Sequence, residues 1–433
     1  MKAVILAGGK GTRMASRFGD LPKPMIMVGG IAVLEHQLRL LERYGCKGII
    51  ILTEHRSEVI EEHVSSRASA AGITVIREKN PLGTAGAVKA VQGALAGDFI
   101  LIYGDVMMDL DLGRLVEFHR AGAAIATLVV HPNDHPFDSD LVECAADGSV
   151  TAFHPKPHDD GKFYPNLVSA GVCVLSGSIL DHIADGNKLD FGRDVFPALL
   201  LSGGKICCYR TAEYLKDMGT PERLEEVERD WRTGKIARLS RAHRRKAVFL
   251  DRDGVIVRER GHISDPDMLE LVPGAGAAIR KLNDSDYLAV VVTNQPVVAR
   301  GECTLGGLSL IHNKLETLLG RERAKLDAIY FCPHHPDSGY PGEVVELKKR
   351  CQCRKPGTGM IRRAVEDFNI DLAASFIIGD SFRDIECGKS AGIRTIGVRT
   401  GAGCMGGDAR SVAVPDVMCD DISAAVEHVL RVR

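Results

Sequence analysis

Two short motifs, each closing an apolar strand-like run, constrain this chain most. The first is LAGGKGTR, Leu6 to Arg13, on the run Ala3 to Ala7; the second is DRDGVIV, Asp251 to Val257, on the run Ala247 to Leu250. An apolar run that breaks at glycines or paired aspartates is how a buried parallel strand delivers polar groups to the edge of its sheet. Two such breaks, far apart in 433 residues, call for two α/β domains.

The pattern between the motifs agrees. In the first part, Ala3 to Ala7, Gly48 to Leu52, Ile73 to Ile76, Phe99 to Ile102 and Ile125 to Val130 read as strands. Ala32 to Tyr44, Ser57 to Ser69 and Thr84 to Leu95 read as helices between them. Such alternation predicts a largely parallel, helix-covered sheet. Arg232 to Lys246 then carries seven Lys or Arg and no acid. It reads as a solvated helix or linker; a nucleic-acid patch would want interleaved aromatics, which it lacks. The domains are therefore drawn at residues 1–231 and 246–433, with a basic linker at 232–245. A fresh alternation starts after it, with strand-like runs at Ala247 to Leu250, Leu288 to Val292, Ala328 to Phe331, Phe376 to Ile378 and Thr395 to Val398. Gly401 to Asp408 is glycine-rich and reads as a loop.

The 45% apolar content suffices for two large cores, and a net charge of −2 gives no pull toward nucleic acid or an anionic membrane. No apolar run approaches a membrane span. Met1-Lys2 and the run after it stop too soon for a signal peptide and read as a first strand. Of twelve cysteines, Cys46, Cys144, Cys173, Cys207 and Cys208 lie scattered among apolar segments. They read as reduced thiols of a cytoplasmic protein rather than as a disulfide framework.

In the first motif Gly8, Gly9 and Gly11 let backbone N–H groups approach phosphate oxygens, with Thr12 beside them and Arg13 adding a cation. It is not a Walker A loop, because Lys10 precedes Gly11 rather than Ser or Thr. Lys23 stands between Pro22 and Pro24; Pro81 to Gly86 is a second glycine turn before a helix; Asp105 ends a strand; Asp217 lies in KDMGTPE. Two carboxylates converging on Mg²⁺ suit a nucleotide substrate. Together LAGGKGTR, DLPKPM, PLGTAGAV, YGD, NLVSAGVCVL and KDMGTPERL resemble the sugar-1-phosphate nucleotidyltransferase family, over residues 1 to about 225. DLPKPM and PLGTAGAV look most like its heptose-1-phosphate guanylyltransferase branch. The resemblance implies a Rossmann-like, GT-A-like mixed sheet and in-line attack of a sugar-1-phosphate on the α-phosphorus of an NTP. It implies Arg13 at the triphosphate, Lys23 near the α-phosphate, Asp105 and Asp217 on Mg²⁺, and Lys156 on the sugar phosphate. Gly83, Asn166 and Gly171 would line the base and sugar pockets.

In the second motif, aspartates at i and i+2 after a strand can share one cleft, one attacking phosphorus and the other moving a proton. A calcium loop is excluded, since the twelfth position counted from Asp251 is His262 and not Glu. Thr293 and Asn294 end the next apolar run, Lys355 lies in CRKPG, and Asp380 and Asp384 lie in IGDSFRD. This order resembles the haloacid dehalogenase superfamily, with its own Rossmann-like fold. The resemblance implies Asp251 as nucleophile and Asp253 as the acid that protonates the leaving oxygen and then activates water. Thr293, Asn294 and Lys355 would bind the phosphoryl oxygens. Asp251, Asp380 and the backbone carbonyl of Asp253 would hold Mg²⁺, with Asp384 as a supporting acid.

Between these elements lie CPHHP and CQC. Cys332, His334, Cys351 and Cys353 offer three thiolates and an imidazole, a tetrahedral Zn²⁺ set of structural type, with His335 as the competing ring. Such a loop would place Arg354 and Lys355 at the phosphate. It resembles the D-glycero-D-manno-heptose 1,7-bisphosphate 7-phosphatase and histidinol-phosphate phosphatase families, the former more closely through VTNQ and ARGECT. Arg300 would then contact a substrate phosphate. Joined, the resemblances imply a bifunctional enzyme that removes the 7-phosphate and activates the resulting heptose 1-phosphate, with GTP preferred. Nucleoside triphosphate and sugar phosphates would be its partners, without nucleic acid or membrane, and with room for a homo-oligomer. The alternatives are another sugar phosphate, or histidinol phosphate at the second site.

Overall fold

The computed structural model describes residues 1–9, 19–67, 72–404 and 413–432. The chain divides into two compact units. The first comprises Met1–His131, Asp140–Pro155 and Val168–Ala242; the second comprises Pro132–Ser139, Lys156–Leu167 and His243–Arg433.

In the first unit Lys2–Leu6 lies between parallel strands Ile49–Thr53 and Phe99–Tyr103, and Ile73–Arg77 extends one side. The helix Val33–Arg43 places Leu34, Leu38 and Leu41 on one stripe, and all three enter the core with Ala3, Ile5 and Ile51. Beyond Phe99–Tyr103 the sheet changes character. Val168–Leu175 runs antiparallel to it, and Leu141–Cys144 pairs antiparallel with Val150–His154. The sheet is thus mixed rather than largely parallel. The turn between Cys144 and Val150 is too short for the helical crossover that parallel strands need.

A second departure concerns the cysteines. Cys144 and Cys208 form a disulfide with a Cα separation of 6.6 Å across 64 residues of sequence. The fold brings them together because the turn of this antiparallel ribbon packs on Ile206–Arg210: Cys208 N donates to Gly148 O at 2.7 Å and Ser149 bridges to Cys207. The other ten cysteines are free thiols. The basic stretch carries buried residues of its own. Ile236 packs with Leu224, Val227 and Met218, and Arg245, wholly buried, donates from Nε to Phe368 O at 2.6 Å.

The second unit is built on six parallel strands in the order Ala328–Cys332, Tyr287–Asn294, Lys246–Leu250, Phe376–Gly379, Arg394–Val398, Val417–Cys419. In chain order this is 3-2-1-4-5-6, with the direction of winding reversing between the first and fourth strands. The last strand and the helix Ile422–Arg431 complete the core, burying Ile422, Ala425, Val426 and Val429. Among the described residues no helix is long and apolar enough to cross a membrane.

Candidate active sites

An open parallel sheet offers its ligand crevice at the carboxyl ends of the strands where the winding reverses. In the second unit that point lies between Lys246–Leu250 and Phe376–Gly379, and Asp251 and Asp380 are the residues that follow these strands. Asp251 N donates to Ile378 O at 3.0 Å, so the two ends are tied together. Gly254, at φ +78°, admits Asp380 to the turn: a Cβ on it would lie 2.1 Å from Asp380 Oδ2. The same oxygen accepts from Ala402 N at 2.7 Å.

Lys355 is buried among the acids. Its Nζ lies 2.9 Å from Asp251 Oδ2 and 2.5 Å from Asp384 Oδ1. The Asn294 side chain clamps its backbone, accepting from Lys355 N at 2.9 Å and donating to Lys355 O at 3.1 Å. Thr293, 1% exposed, ends the strand beside them. Asp384 caps the helix Phe382–Ala391, its Oδ2 accepting from Ser381 N at 3.1 Å and from Ser381 Oγ at 2.6 Å.

Asp251, Asp380 and Asp384 present oxygens that all lie within 4.8 Å of one another. Burial first, then Asp384, hold the Asp251 carboxyl well above its ordinary range, against the pull of Lys355. Burial likewise pushes Asp380 up to about 6. Burial alone would lower Lys355, but Asp251 and Asp384 outweigh it and raise it. Three acids facing one lysine leave negative charge uncompensated, and a divalent cation fits that deficit. The carboxylate trio contains Asp384 and not the side chain of Asp253, which Arg252 and Gln295 hold instead.

A raised carboxyl favours the folded state at low pH, and that contribution is lost as pH rises through the folded value, about 6 for Asp380. The metal-free protein therefore loses stability from Asp380 between about pH 4 and about pH 6.5, and a bound cation restores it. The rise in thermal midpoint on adding Mg²⁺ is expected to be larger at about pH 7.5 than at about pH 5.5. Scanning fluorimetry at both values checks this, and equal shifts would refute it.

Beside this site, Cys353 Sγ lies 3.3 Å from both Cys332 Sγ and Cys351 Sγ, which are 3.5 Å apart. His334 Nδ1 lies 3.3 Å from Cys353 Sγ and 3.6 Å from Cys332 Sγ. Zinc at about 2.3 Å from each thiolate would set tetrahedral sulfurs about 3.8 Å apart, so the four donors need open only slightly to hold it. His335 faces away, with its Nε2 3.4 Å from Arg300 Nη2. Arg300 stacks over Tyr340 at 4.4 Å, with Nη1 3.1 Å from the ring nitrogens of His262. Arg354 Nη1 donates to His334 O at 3.2 Å, joining the cluster to the loop of Lys355.

In the first unit, Lys2–Leu6 ends at Gly8 and Gly9; Gly11, Thr12 and Arg13 lie outside the described residues. Lys23 Nζ pairs with Asp105 Oδ2 at 2.7 Å. Asp217 lies on the neighbouring strand Tyr214–Asp217, opposite Val106, and Met218 N donates to Asp105 O at 2.9 Å. The ladder thus places Asp217 one residue out of register with Asp105, each with its own cation. Arg223 Nη1 meets both oxygens of Asp217, at 2.7 and 2.8 Å. Gly83, at φ +71°, opens the helix Gly83–Ala90 where a Cβ would strike Leu189 O. Gly171, at φ +69°, packs on Tyr103. Lys156 and Asn166 belong to the second unit. Lys156 Nζ donates to Asp138 O at 2.8 Å, and the Asn166 amide exchanges bonds with the Asn133 backbone at 2.7 and 3.2 Å.

These two sites have clear relatives. The model of the nucleotidyl transferase family matches residues 2–234, and a HAD-hydrolase-like model matches residues 352–427. A mannose-1-phosphate guanylyltransferase of Mycobacterium tuberculosis is 35% identical over 224 residues, covering 51% of this chain and 61% of its own length. The chain thus spans less than two thirds of that relative. A D-glycero-D-manno-heptose-1,7-bisphosphate 7-phosphatase of Thermosynechococcus vestitus is 37% identical over 190 residues, covering 43% of this chain and 95% of its own. A D-glycero-beta-D-manno-heptose-1,7-bisphosphate 7-phosphatase of Escherichia coli K12 is 38% identical over 156 residues, covering 36% of this chain and 80% of its own. The chain belongs to the nucleotidyl transferase family through residues 2–234 and, through its second half, to the heptose-bisphosphate phosphatases among the HAD-like hydrolases.

Proposed function

We propose that the second unit removes the 7-phosphate of D-glycero-D-manno-heptose 1,7-bisphosphate and that the first transfers a nucleotidyl group to the heptose 1-phosphate produced. The observation that carries the reading is Asp251 at the switch point, paired with buried Lys355, on a chain that belongs to both families. Asp251 attacks phosphorus. Asp253 gives a proton to the leaving oxygen and takes one from the water that hydrolyses the aspartyl phosphate. Lys355, Thr293 and Asn294 gather the phosphoryl oxygens, with Arg300 and Arg354 toward the rest of the substrate. Asp251, Asp380 and Asp384 are the side chains that would hold Mg²⁺, joined by the Asp253 carbonyl; when bound, the ion neutralises charge on the phosphoryl group. Cys332, His334, Cys351 and Cys353 would hold a structural Zn²⁺, with no donor position left for water.

In the first unit the glycine loop and Arg13 would receive the triphosphate and Lys23 the α-phosphate region, with Asp105 and Asp217 available to Mg²⁺. Gly83 and Gly171 would line the sugar and base pockets of this unit. GTP is the preferred nucleotide, supported by the guanylyltransferase relative. That relative is named for mannose 1-phosphate, which makes this sugar the second reading.

The test supplies purified protein with the heptose bisphosphate, Mg²⁺ and the four NTPs, followed by mass spectrometry and phosphorus NMR. GDP-heptose with loss of the 7-phosphate is expected. Phosphate release without nucleotide-sugar would return the first unit to mannose 1-phosphate, and no turnover would end the heptose reading. Within this scheme, Asp105→Asn is expected to lower nucleotidyl transfer by roughly 10²–10³-fold while phosphate release continues, since a carboxylate that would hold the charge-neutralising Mg²⁺ is lost. Assaying both reactions on one preparation checks it.

A further inference from the structure

The mechanism above leaves unexplained a wholly buried arginine between the two aspartates of the second motif. Arg252 is 0% exposed. Its backbone N donates to Asp251 Oδ1 at 2.7 Å, while its side chain grips Asp253: Nε to Oδ1 at 2.9 Å and Nη2 to Oδ2 at 2.9 Å. Nη2 also donates to Gln295 Oε1 at 2.8 Å, and Gln295 Nε2 returns to Asp253 Oδ2 at 2.8 Å and to Thr293 Oγ1 at 2.9 Å. Gln295 is itself 1% exposed. The Arg252 carbonyl accepts from Ile256 N at 3.0 Å and Val257 N at 2.9 Å, so neither end of the residue is free to move.

We propose that Arg252 and Gln295 are positioning residues that aim Asp253 at the leaving oxygen, with Oδ1 as the atom that carries the proton. This rests on the phosphatase reading above. The count of lone pairs selects the atom. Oδ2 accepts from both Arg252 and Gln295 and is full, whereas Oδ1 accepts once and keeps one lone pair for a proton. The planar guanidinium fork fixes the carboxylate in two directions at once, which an ammonium cannot do. The fork also keeps the Asp253 side chain out of the carboxylate trio, so nucleophile and acid face the substrate from separate anchors. In the first step a bond forms from Asp251 to phosphorus, the bond from phosphorus to the sugar oxygen breaks with its electron pair, and the proton on Asp253 Oδ1 passes to that oxygen. In the second, water attacks phosphorus and returns a proton to Oδ1, and the aspartyl–phosphorus bond breaks to release orthophosphate.

Leaving-group dependence tests this on the full-length protein with Mg²⁺. A sugar oxygen needs a proton as it leaves; 4-nitrophenolate does not. Arg252→Lys is expected to lower kcat/KM for the heptose bisphosphate by roughly 10²-fold, and for 4-nitrophenyl phosphate by no more than about fivefold. Gln295→Leu, the gentler change, is expected to act in the same direction by roughly tenfold. Because Asp253 also serves the second step, acid quenching during turnover of 4-nitrophenyl phosphate, whose first step needs no proton, should trap more aspartyl phosphate in both variants. Equal losses on the two substrates would mean a merely structural role and overturn the proposal, as would no loss on either. If Arg252→Lys does not fold, Gln295→Leu decides. If wild type cleaves 4-nitrophenyl phosphate but not the heptose bisphosphate, the heptose reading fails, and the same ratio measured with a hexose 6-phosphate decides the positioning role. Wild type inert toward all three substrates overturns both.

Discussion

Asp251→Asn should abolish phosphate release, by roughly 10⁴-fold or more, because no other group can form the bond to phosphorus. Amide for carboxylate keeps the shape of the side chain, so the loss cannot be laid to packing. The variant should also be no less stable than wild type without divalent metal. Asp251 is held above its ordinary range by burial and by Asp384, so its ionised form is a cost to the fold that the amide lacks. Lys355 keeps its partner Asp384 at 2.5 Å and is not left buried and unpaired. Nucleotide-sugar formation from heptose 1-phosphate should continue. Stopped assays with phosphate detection, beside calorimetry of the metal-free protein, read all three. Residual release within tenfold of wild type would show that Asp251 is not the nucleophile.

What the sequence could say about this site depended on distance along the chain. Asp251, Thr293 and Asp380 each end or follow an apolar run, and parallel strands must deliver such residues to one edge of the sheet. Their convergence was therefore legible from pattern alone, and the Cys-x-His and Cys-x-Cys pairs were legible from spacing. The direction of a side chain at that edge was not. Arg252 shows no sign in the sequence of lying wholly buried, and Gln295 stands in an apolar context with nothing to mark Asp253 as its partner. Asp384, a supporting acid by resemblance, owes its reach toward Asp251 to the fold, which seats it at the start of the helix Phe382–Ala391. The Cys144–Cys208 disulfide depends on how an antiparallel ribbon lies on a distant strand, which spacing across 64 residues does not encode. Val417–Cys419 is too short to stand out as a strand, although it closes the sheet. Asn166 lies in a motif that suggests a sugar contact, yet its amide is spent on the Asn133 backbone.

Removing the zinc ligand set should have the second large effect. Lys355 is two residues beyond Cys353, and its backbone has one anchor of its own, the Asn294 amide. The other anchor is the cluster, through Cys353 and the bond from Arg354 to His334 O at 3.2 Å. Without a metal, neighbouring thiolates repel one another and the loop between Cys332 and Cys351 has no pin. Cys353→Ser is therefore expected to lose bound zinc, to lower the thermal midpoint by roughly 5–10 °C, and to lower phosphatase kcat/KM by roughly 10–100-fold. The loss stops short of that for Asp251→Asn because Asn294 still holds Lys355. Elemental analysis of wild type should find one zinc per chain, and after chelation Zn²⁺ together with Mg²⁺, but not Mg²⁺ alone, should restore activity. The two cations act at separate donor sets: thiolates and imidazole suit zinc, whereas the trio of Asp251, Asp380 and Asp384 offers only oxygen. Full phosphatase activity in zinc-free protein would mean that the cluster does not place Lys355, and that the loop is held by Asn294 alone.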